Sequence, residues 1–110
     1  YEGMRQLLLR HPDTDGVFAH NDDMAIGAIE AIKEKGLKIP EEVAVFGFSN
    51  SKRSRYMTPS VSTINQFPEK IGETAAELLF EQILDAKQIR EEVINSELIV
   101  RESSDRSFMQ

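Results

Sequence analysis

The chain has 110 residues, 40% of them hydrophobic and 29% charged, and its formal net charge at neutral pH is −6. This length suits one soluble globular domain, and the acidic balance excludes a broad surface for nucleic-acid phosphates on this part of the protein. Cysteine is absent, which excludes disulfide scaffolds and cysteine metal sites and fits a reducing compartment. No apolar run approaches the roughly 18 residues of a membrane helix, and the first five residues lack the basic-then-apolar pattern of a secretory signal.

The first part of the chain predicts a helix, a strand and a second helix. Residues 2–10 place apolar side chains on one helical stripe, which Pro12 ends because proline cannot continue a helix. Since the chain opens inside this helix, we expect it to be a piece of a longer protein. The apolar run 17–19 is too short for a helix and is typical of a buried strand. Residues 23–35 repeat apolar positions at helical spacing, with Gly36 as the stop.

The second part predicts more strands and one long helix. Three apolar runs are typical of strands: 43–48, 61–64 and 93–100. Residues 49–58 are polar and basic and predict a loop, a helix follows from Pro68 to Asp85, and the tail from Ser103 is predicted to fray. Helices and strands that alternate through short loops indicate an α/β fold, with a mainly parallel sheet flanked by helices.

The helix predicted over 68–85 is more apolar than one contact face requires. One stripe consists of Ile71, Ala75, Leu78 and Leu79, and the stripe is widened by Ala76, Phe80, Ile83 and Leu84. A large apolar patch that its own chain leaves uncovered marks an interface. We therefore expect this helix either to pack on another copy of the chain or to leave apolar residues exposed.

Polar residues follow three of the predicted strands. They are Asn21 and Asp22, then Ser49 and Asn50, then Asn65 and Gln66. In a parallel sheet all three pairs reach the carboxyl edge, where short polar side chains suit a polyhydroxylated small molecule. Taken singly, such residues are ordinary helix caps and turn formers. Asp22 and Asp23 diverge around the helix axis, so helix capping and compensation of the helix dipole explain them better than a catalytic pair does.

Catalysis finds little support in this sequence. His11 and His20 have no partner at metal-ligand spacing, and the nucleophile elbow, the Walker loop and the dinucleotide fingerprint are all absent. The basic run 52–55 is either a solvated loop or a holder for an anionic group near Ser49. We therefore expect a protein that is not an enzyme and that uses neither a metal nor a cofactor.

Several motifs in order resemble one protein family. They are Asp-Gly-Val-Phe-Ala at 15–19, Asn-Asp-Asp-Met-Ala-Ile-Gly-Ala at 21–28, Gly-Leu-Lys-Ile-Pro-Glu-Glu-Val-Ala-Val-Phe-Gly-Phe at 36–48, Thr-Pro-Ser-Val-Ser-Thr-Ile at 58–64, Gly-Glu-Thr-Ala-Ala-Glu-Leu-Leu at 72–79 and Glu-Leu-Ile-Val-Arg-Glu-Ser at 97–103. With this spacing the chain resembles the C-terminal part of the effector-binding core of the lactose/galactose-repressor (LacI/GalR) family of bacterial transcription regulators.

The resemblance implies a type I periplasmic-binding-protein-like core, in which two α/β subdomains close on a small effector. Residues 1–64 and 90–103 would belong to the C-terminal subdomain, and 65–89 would carry a crossover helix of the N-terminal one. The DNA-binding helix-turn-helix would lie outside this chain.

The resemblance also implies which side chains touch the effector. Asn21 matches a pocket position, and Ser49 stands where many members have an aspartate, with Asp22 and Gln66 as further candidates. A serine cannot supply the charge-assisted hydrogen bond of a carboxylate, so both a neutral sugar and an acidic or phosphorylated one stay open.

Relatives of this kind form dimers, which here points to Ile26, Ile29, Tyr56 and Met57. Ile29 could instead simply face the core. The predicted function is effector sensing and dimerisation in a cytoplasmic transcription regulator. The predicted partner is a second copy of the chain, and one form of this homodimer would exchange the 68–85 helix between the two copies. The alternative is an extracytoplasmic sugar-binding protein of the same fold that serves a transporter or sensor.

Overall fold

The computed structural model describes residues 1–109, which form two compact units. The first consists of Tyr1–Asn65 together with the chain from Leu98 on, and the second is Gln66–Glu97. The elements are α1 (Glu2–Arg10), β1 (Gly16–Phe18), α2 (Asp22–Glu34), β2 (Ala44–Phe46), α3 (Lys52–Tyr56), β3 (Thr63–Asn65), α4 (Pro68–Leu84), β4 (Glu97–Ile99) and a 3₁₀ helix at Ser107–Met109. Every predicted helix and strand is present, and the α/β class is confirmed.

β1 and β2 of the first unit run in parallel. β1 pairs with β2 in a register that places Gly16, Val17 and Phe18 opposite Ala44, Val45 and Phe46. Phe46 also forms a parallel bridge to Ser62, just before β3, and β3 pairs with β4. Because parallel strands end at the same side of a sheet, the residues that follow β1 and β2 lie at one carboxyl edge.

The core of the first unit lies between this sheet and helices α1 and α2. Its fully buried large side chains are Ile29 and Ile32 from α2 and Val43, Val45 and Val61 from the strand segments. Three alanines of α2 are buried as well, at positions 25, 28 and 31, and α1 adds Met4 and Leu8. Each large aliphatic residue buried in this way contributes about 1.5–3 kcal/mol relative to an exposed position.

The loop predicted over 49–58 contains a short helix, which corrects that prediction. Ser51 is the N-cap of α3, and its Oγ accepts a hydrogen bond from the backbone N–H of Ser54 at 3.3 Å. The Ser54 hydroxyl donates back to the Ser51 carbonyl at 2.6 Å, and Ser54 is fully buried. The capping serine, with no glycine or proline in the five residues after it, is what allows the turn of helix.

The tail from Ser103 is not frayed, which corrects a second prediction. Ser103 is fully buried, and its hydroxyl donates to the carbonyl of Val45 at 2.6 Å. The Arg106 guanidinium donates to the carbonyls of Pro40 and Asp15, at 2.6 and 2.7 Å. The polar side chains of the tail donate hydrogen bonds to backbone carbonyls of the first unit. The prediction of a frayed tail was wrong because it rested on polar composition alone.

The second unit is dominated by α4. Pro68 and Glu69 occupy its first turn as predicted, and Phe67 precedes the helix with a φ of 53°. Arg90 forms ion pairs with Glu81 and Glu92, at 2.9 and 2.5 Å. No residue of α4 is buried. Leu78 is half-buried, and five of the large apolar side chains of α4 are exposed: Ile71, Leu79, Phe80, Ile83 and Leu84. Among residues 1–109, no helix has both the length and the apolar composition to cross a membrane.

Candidate binding site at the carboxyl edge of the sheet

Asn21 joins the end of β1 to the start of α2. It is the N-cap of α2, and its Oδ1 accepts a hydrogen bond from the backbone N–H of Met24 at 2.9 Å. Such a cap is worth about 0.5–2 kcal/mol. Asn21 is half-buried, and with Oδ1 engaged, the Nδ2 amino group is the part that remains to donate to a ligand.

Asp22 lies beneath this surface rather than on it. Its exposed fraction is 1%, and its two carboxylate oxygens accept from the Thr63 hydroxyl at 2.7 Å and the Ser51 backbone N–H at 2.6 Å. The capping role assigned to Asp22 from sequence is therefore wrong, since Asn21 holds it. Asp22 instead joins α2 to the segments that follow β2 and begin β3.

Gly47 provides the space for that carboxylate. A Cβ atom at this position would lie 2.3 Å from Oδ1 of Asp22 and 3.2 Å from the Cβ of Ala25. The first distance is shorter than real Cβ contacts and the second is tighter than most of them, so a side chain at position 47 would displace the carboxylate or α2. The glycine directly after β2 marks a close approach between this segment and α2.

The loop after β2 holds two residues in an uncommon backbone conformation. Ser49 has a φ of 102° and Asn50 a φ of 51°, and positive values of this kind cost about 1–3 kcal/mol for residues other than glycine. Hydrogen bonds hold the loop: the Ser49 N–H donates to the Ile64 carbonyl and the Asn50 N–H to the Thr63 hydroxyl, both at 3.0 Å. Ser49 itself is exposed, at the edge where Asn21 stands.

Arg101, which follows β4, closes a ring of hydrogen bonds beneath this loop. Its guanidinium donates to Asn50 Oδ1 at 2.9 Å, to Ser54 Oγ at 3.1 Å and to the Val61 carbonyl at 2.9 Å. Through Asn50 and Thr63 the ring leads to one carboxylate oxygen of Asp22, and through Ser54 and Ser51 it leads to the other. One buried carboxylate and one partly buried guanidinium therefore brace the loop from both sides.

The charge of Arg101 is shaped by this setting. Burial lowers the pKa of its guanidinium from the ordinary value, and the positive charge of Arg55 lowers that pKa further. The carboxylate of Asp22 acts in the opposite direction and raises the pKa of Arg101. The ring thus contains one positive group, the Arg101 guanidinium, and one negative group, the Asp22 carboxylate. Hydrogen bonds through neutral hydroxyl and amide groups connect the two.

The remaining predicted site residues are distributed between the units. Gln66, the fourth candidate effector contact, is the first residue of the second unit and is half-buried. Of the four predicted dimer residues, Ile29 is fully buried, Ile26 is 7% exposed and Met57 packs on the core. Tyr56 is 79% exposed, so the surface available for a dimer contact is at Tyr56, while Ile26 and Ile29 belong to the core.

The described part of the chain offers no cluster of side chains suited to a metal ion. Over residues 1–109 there is no group of three or more histidine, cysteine, aspartate or glutamate side chains able to hold a metal ion. Within the same range, every buried polar side-chain atom has a hydrogen-bond partner. The polar residues beneath the edge therefore bond to one another and to the backbone.

Sequence reasoning missed the residues that brace the edge. Gly47, Thr63 and Arg101 were not singled out, although Gly47 carried a usable signal as a glycine inside an apolar strand. Ser51 also carried one, because serine is among the residues preferred at helix N-caps. Arg101 carried none, since nothing in its neighbourhood indicates that it reaches a loop about fifty residues earlier.

Comparison with known proteins agrees with this architecture. The model of the periplasmic binding protein-like domain family matches residues 1–104. The HTH-type transcriptional repressor PurR of Mannheimia succiniciproducens is 42% identical over 104 residues, which cover 94% of this chain and 31% of that protein. The chain thus spans about a third of the length of this curated relative.

Solved structures point the same way. A LacI-family transcriptional regulator from Sanguibacter keddieii matches with a TM-score of 0.82 at 36% identity, covering 93% of this chain and 39% of that one. The complex of the transcriptional regulator CelR with cellobiose matches with a TM-score of 0.87 at 36% identity, covering 94% and 32%. The chain therefore belongs to the periplasmic binding protein-like domain family and is homologous to part of the LacI-family transcription regulators, as its motifs predicted.

Proposed function

We propose that this chain is the effector-sensing and dimerising part of a bacterial LacI-type transcription regulator that acts in the cytoplasm. Its ligand is a small sugar or sugar derivative, which Asn21 and Ser49 contact and to which Gln66 adds a further contact. DNA binding belongs to an N-terminal helix-turn-helix outside this chain. The protein is not an enzyme and needs no cofactor for this role.

One observation carries the proposal. Asn21 and Ser49 follow two neighbouring parallel strands, and both present polar groups at the surface, while the buried Asp22 fixes the segments beneath them. A rigid edge with adaptable donors and acceptors suits hydroxyl-rich ligands. The relative CelR, whose structure is a complex with cellobiose, supports a sugar as the class of ligand.

The proposed mechanism is a shift in domain closure. Residues 1–64 and 90–103 would form one subdomain and 65–89 would belong to the other, whose remaining part would cover the apolar face of α4. A ligand that binds the closed arrangement more tightly shifts the population toward it, and the DNA-binding domain senses that shift.

The first prediction concerns the amide of Asn21. In Asn21→Asp the cap is kept, since aspartate caps helices as well as asparagine, but the Nδ2 donor is lost. We expect the complete gene product to unfold at an unchanged temperature and to bind its sugar about tenfold more weakly, because a hydrogen bond of about 1–1.5 kcal/mol is missing. A thermal-shift panel of neutral, acidic and phosphorylated sugars identifies the ligand, and titration calorimetry then measures Kd.

The matched control for this substitution is Asp23→Asn. Asp23 lies two residues after Asn21, in the first turn of α2, and its side chain is about three-quarters exposed. It should leave Kd unchanged. Equal affinity in Asn21→Asp and the unsubstituted protein would remove Asn21 from the contact set. A complete gene product that responds to no sugar in the panel and does not bind the DNA upstream of its own gene would contradict the proposed function.

The second prediction concerns dimerisation at Tyr56. Because this side chain is 79% exposed, Tyr56→Arg should fold normally but weaken a dimer that places the ring in its interface. Buried interface tyrosines contribute about 2 kcal/mol or more, so we expect the dimer dissociation constant to rise roughly thirtyfold. Sedimentation equilibrium measures it, with Tyr56→Phe as the conservative control. An unchanged association state in Tyr56→Arg would place the dimer contact elsewhere.

A further inference from the structure

A cavity lies next in the chain to the candidate effector contact Ser49. Its volume is about 430 Å³, and its lining residues are Asn50, Ser51, Lys52, Arg55 and Tyr56. Three of them, at positions 52, 55 and 56, share one face of α3 because residues three and four apart are neighbours on a helix. Ser49 and Asn21 do not line it. The cavity is therefore distinct from the predicted effector contacts.

The lining offers mainly hydrogen-bond donors. Oδ1 of Asn50 accepts from Arg101 at 2.9 Å, so the part of this side chain left for a ligand is the Nδ2 donor. Oγ of Ser51 accepts from the Ser54 N–H, so its hydroxyl proton is left to donate. Lys52 and Arg55 can only donate. Such a lining is complementary to an acceptor-rich group.

The charge around the cavity is positive and not balanced locally. No carboxylate lines it. Arg53 forms an ion pair with Asp23 at 3.6 Å, whereas among the described residues Lys52 and Arg55 have no acidic partner within 4 Å. The depressed pKa of the nearby Arg101 has Arg55 as one of its causes, which indicates that the two cations lie close enough to repel each other. This local excess contrasts with the net charge of −6 for the whole chain.

We propose that this cavity binds the phosphate or carboxylate group of a small metabolite, as an anion site separate from the sugar contacts at Asn21 and Ser49. The volume is that of a small-molecule pocket. Lys52 and Arg55 supply the charge, and Asn50 and Ser51 supply neutral donors that fix the orientation of the anion. The basic run 52–55 was expected either to be solvated or to hold an anion near Ser49. In this assignment Arg53 is engaged by Asp23, and the anion lies at Asn50 and Ser51 instead.

The test is titration of the complete gene product with inorganic phosphate and, separately, succinate at constant ionic strength, followed by calorimetry and by the NMR signals of the asparagine side-chain amides. We expect saturable binding of at least one of the two anions and a shift of the Asn50 amide signals. The stronger ligand distinguishes a phosphate from a carboxylate source. Failure to bind either anion would overturn the proposal, whether or not a sugar binds.

Two variants make the test specific. Lys52→Gln with Arg55→Gln should weaken anion binding about tenfold or more, because charge-assisted hydrogen bonds are lost. Asn50→Asp keeps an acceptor for Arg101 but replaces the donor with a negative oxygen, so it should abolish binding. The matched control is Lys70→Gln with Lys87→Gln, two exposed cations of the second unit. Equal loss in the control and the test variants would show non-specific screening and overturn the site, and sugar affinity, measured in parallel, reports on the proposed function independently.

Discussion

Asp22→Ala is expected to destabilise the protein by about 2–5 kcal/mol. The substitution removes both acceptors from a 1% exposed position and leaves the Ser51 N–H and the Thr63 hydroxyl without their partner. Each buried polar group that loses its partner costs about 1–3 kcal/mol. The loop that holds Ser49 and Asn50 at positive φ also loses one of its restraints. A fall of roughly 10 °C in unfolding temperature is the expected measurement.

Two further variants isolate the cause. Asp22→Asn keeps one acceptor for the Ser51 N–H and can donate to the Thr63 hydroxyl oxygen, so we expect a smaller loss than in Asp22→Ala. Asp23→Ala, at an exposed position of the same helical turn, should change stability by less than about 1 kcal/mol. If urea unfolding gave Asp22→Ala and Asp23→Ala the same midpoint, the bracing role of Asp22 would be refuted.

Gly47→Ala is expected to have the second largest effect. The new methyl group would lie 2.3 Å from Oδ1 of Asp22 and 3.2 Å from the Cβ of Ala25, so either the carboxylate or α2 must move. Forcing extra atoms into a packed site costs about 1–3 kcal/mol, and here it also breaks the hydrogen bonds of Asp22. Urea unfolding at equilibrium measures the loss. Gly16→Ala is the control, because a Cβ there meets nothing within 4 Å.

The clash makes a further quantitative prediction about coupling. If the methyl group acts through the carboxylate, then Gly47→Ala combined with Asp22→Ala should lose clearly less stability than the sum of the two single variants. Residues in contact commonly couple by about 0.5–3 kcal/mol in such a cycle. Strict additivity would show that the methyl group at position 47 acts independently of the Asp22 carboxylate.

The elements of the fold were predictable because their patterns are local. The apolar spacing in α2 and the β-branched run that contains β2 determine helix and strand without reference to distant residues. The short helix α3 and the ordered tail were missed because both depend on tertiary hydrogen bonds. A polar segment that donates hydrogen bonds to backbone carbonyls can have the same composition as a polar segment that is frayed and solvated. Composition alone therefore does not distinguish the two.

The sequence predicts where the candidate site lies, but it does not predict which residue of the site has which role. Polar residues after parallel strands indicate the edge, yet Asn21 and Asp22 are adjacent and equally suited to capping. Which of them points beneath the sheet depends on how α2 approaches β2, and that approach is possible only because position 47 has no side chain. Arg101 could not be placed at all, since its partners Asn50 and Ser54 are distant in the sequence.

The anchoring of the tail has a consequence for the order of folding. The Arg106 guanidinium donates to the carbonyl of Asp15, a partner 91 positions earlier, and the Ser103 hydroxyl donates to the carbonyl of Val45 in β2. Contacts of such long sequence separation slow folding, because the entropy of closing the loop is lost before the contact forms. On the ribosome, β1 and β2 would be made well before the residues that complete them. We therefore expect the first unit to stay open to proteases and chaperones until Arg106 has left the exit tunnel.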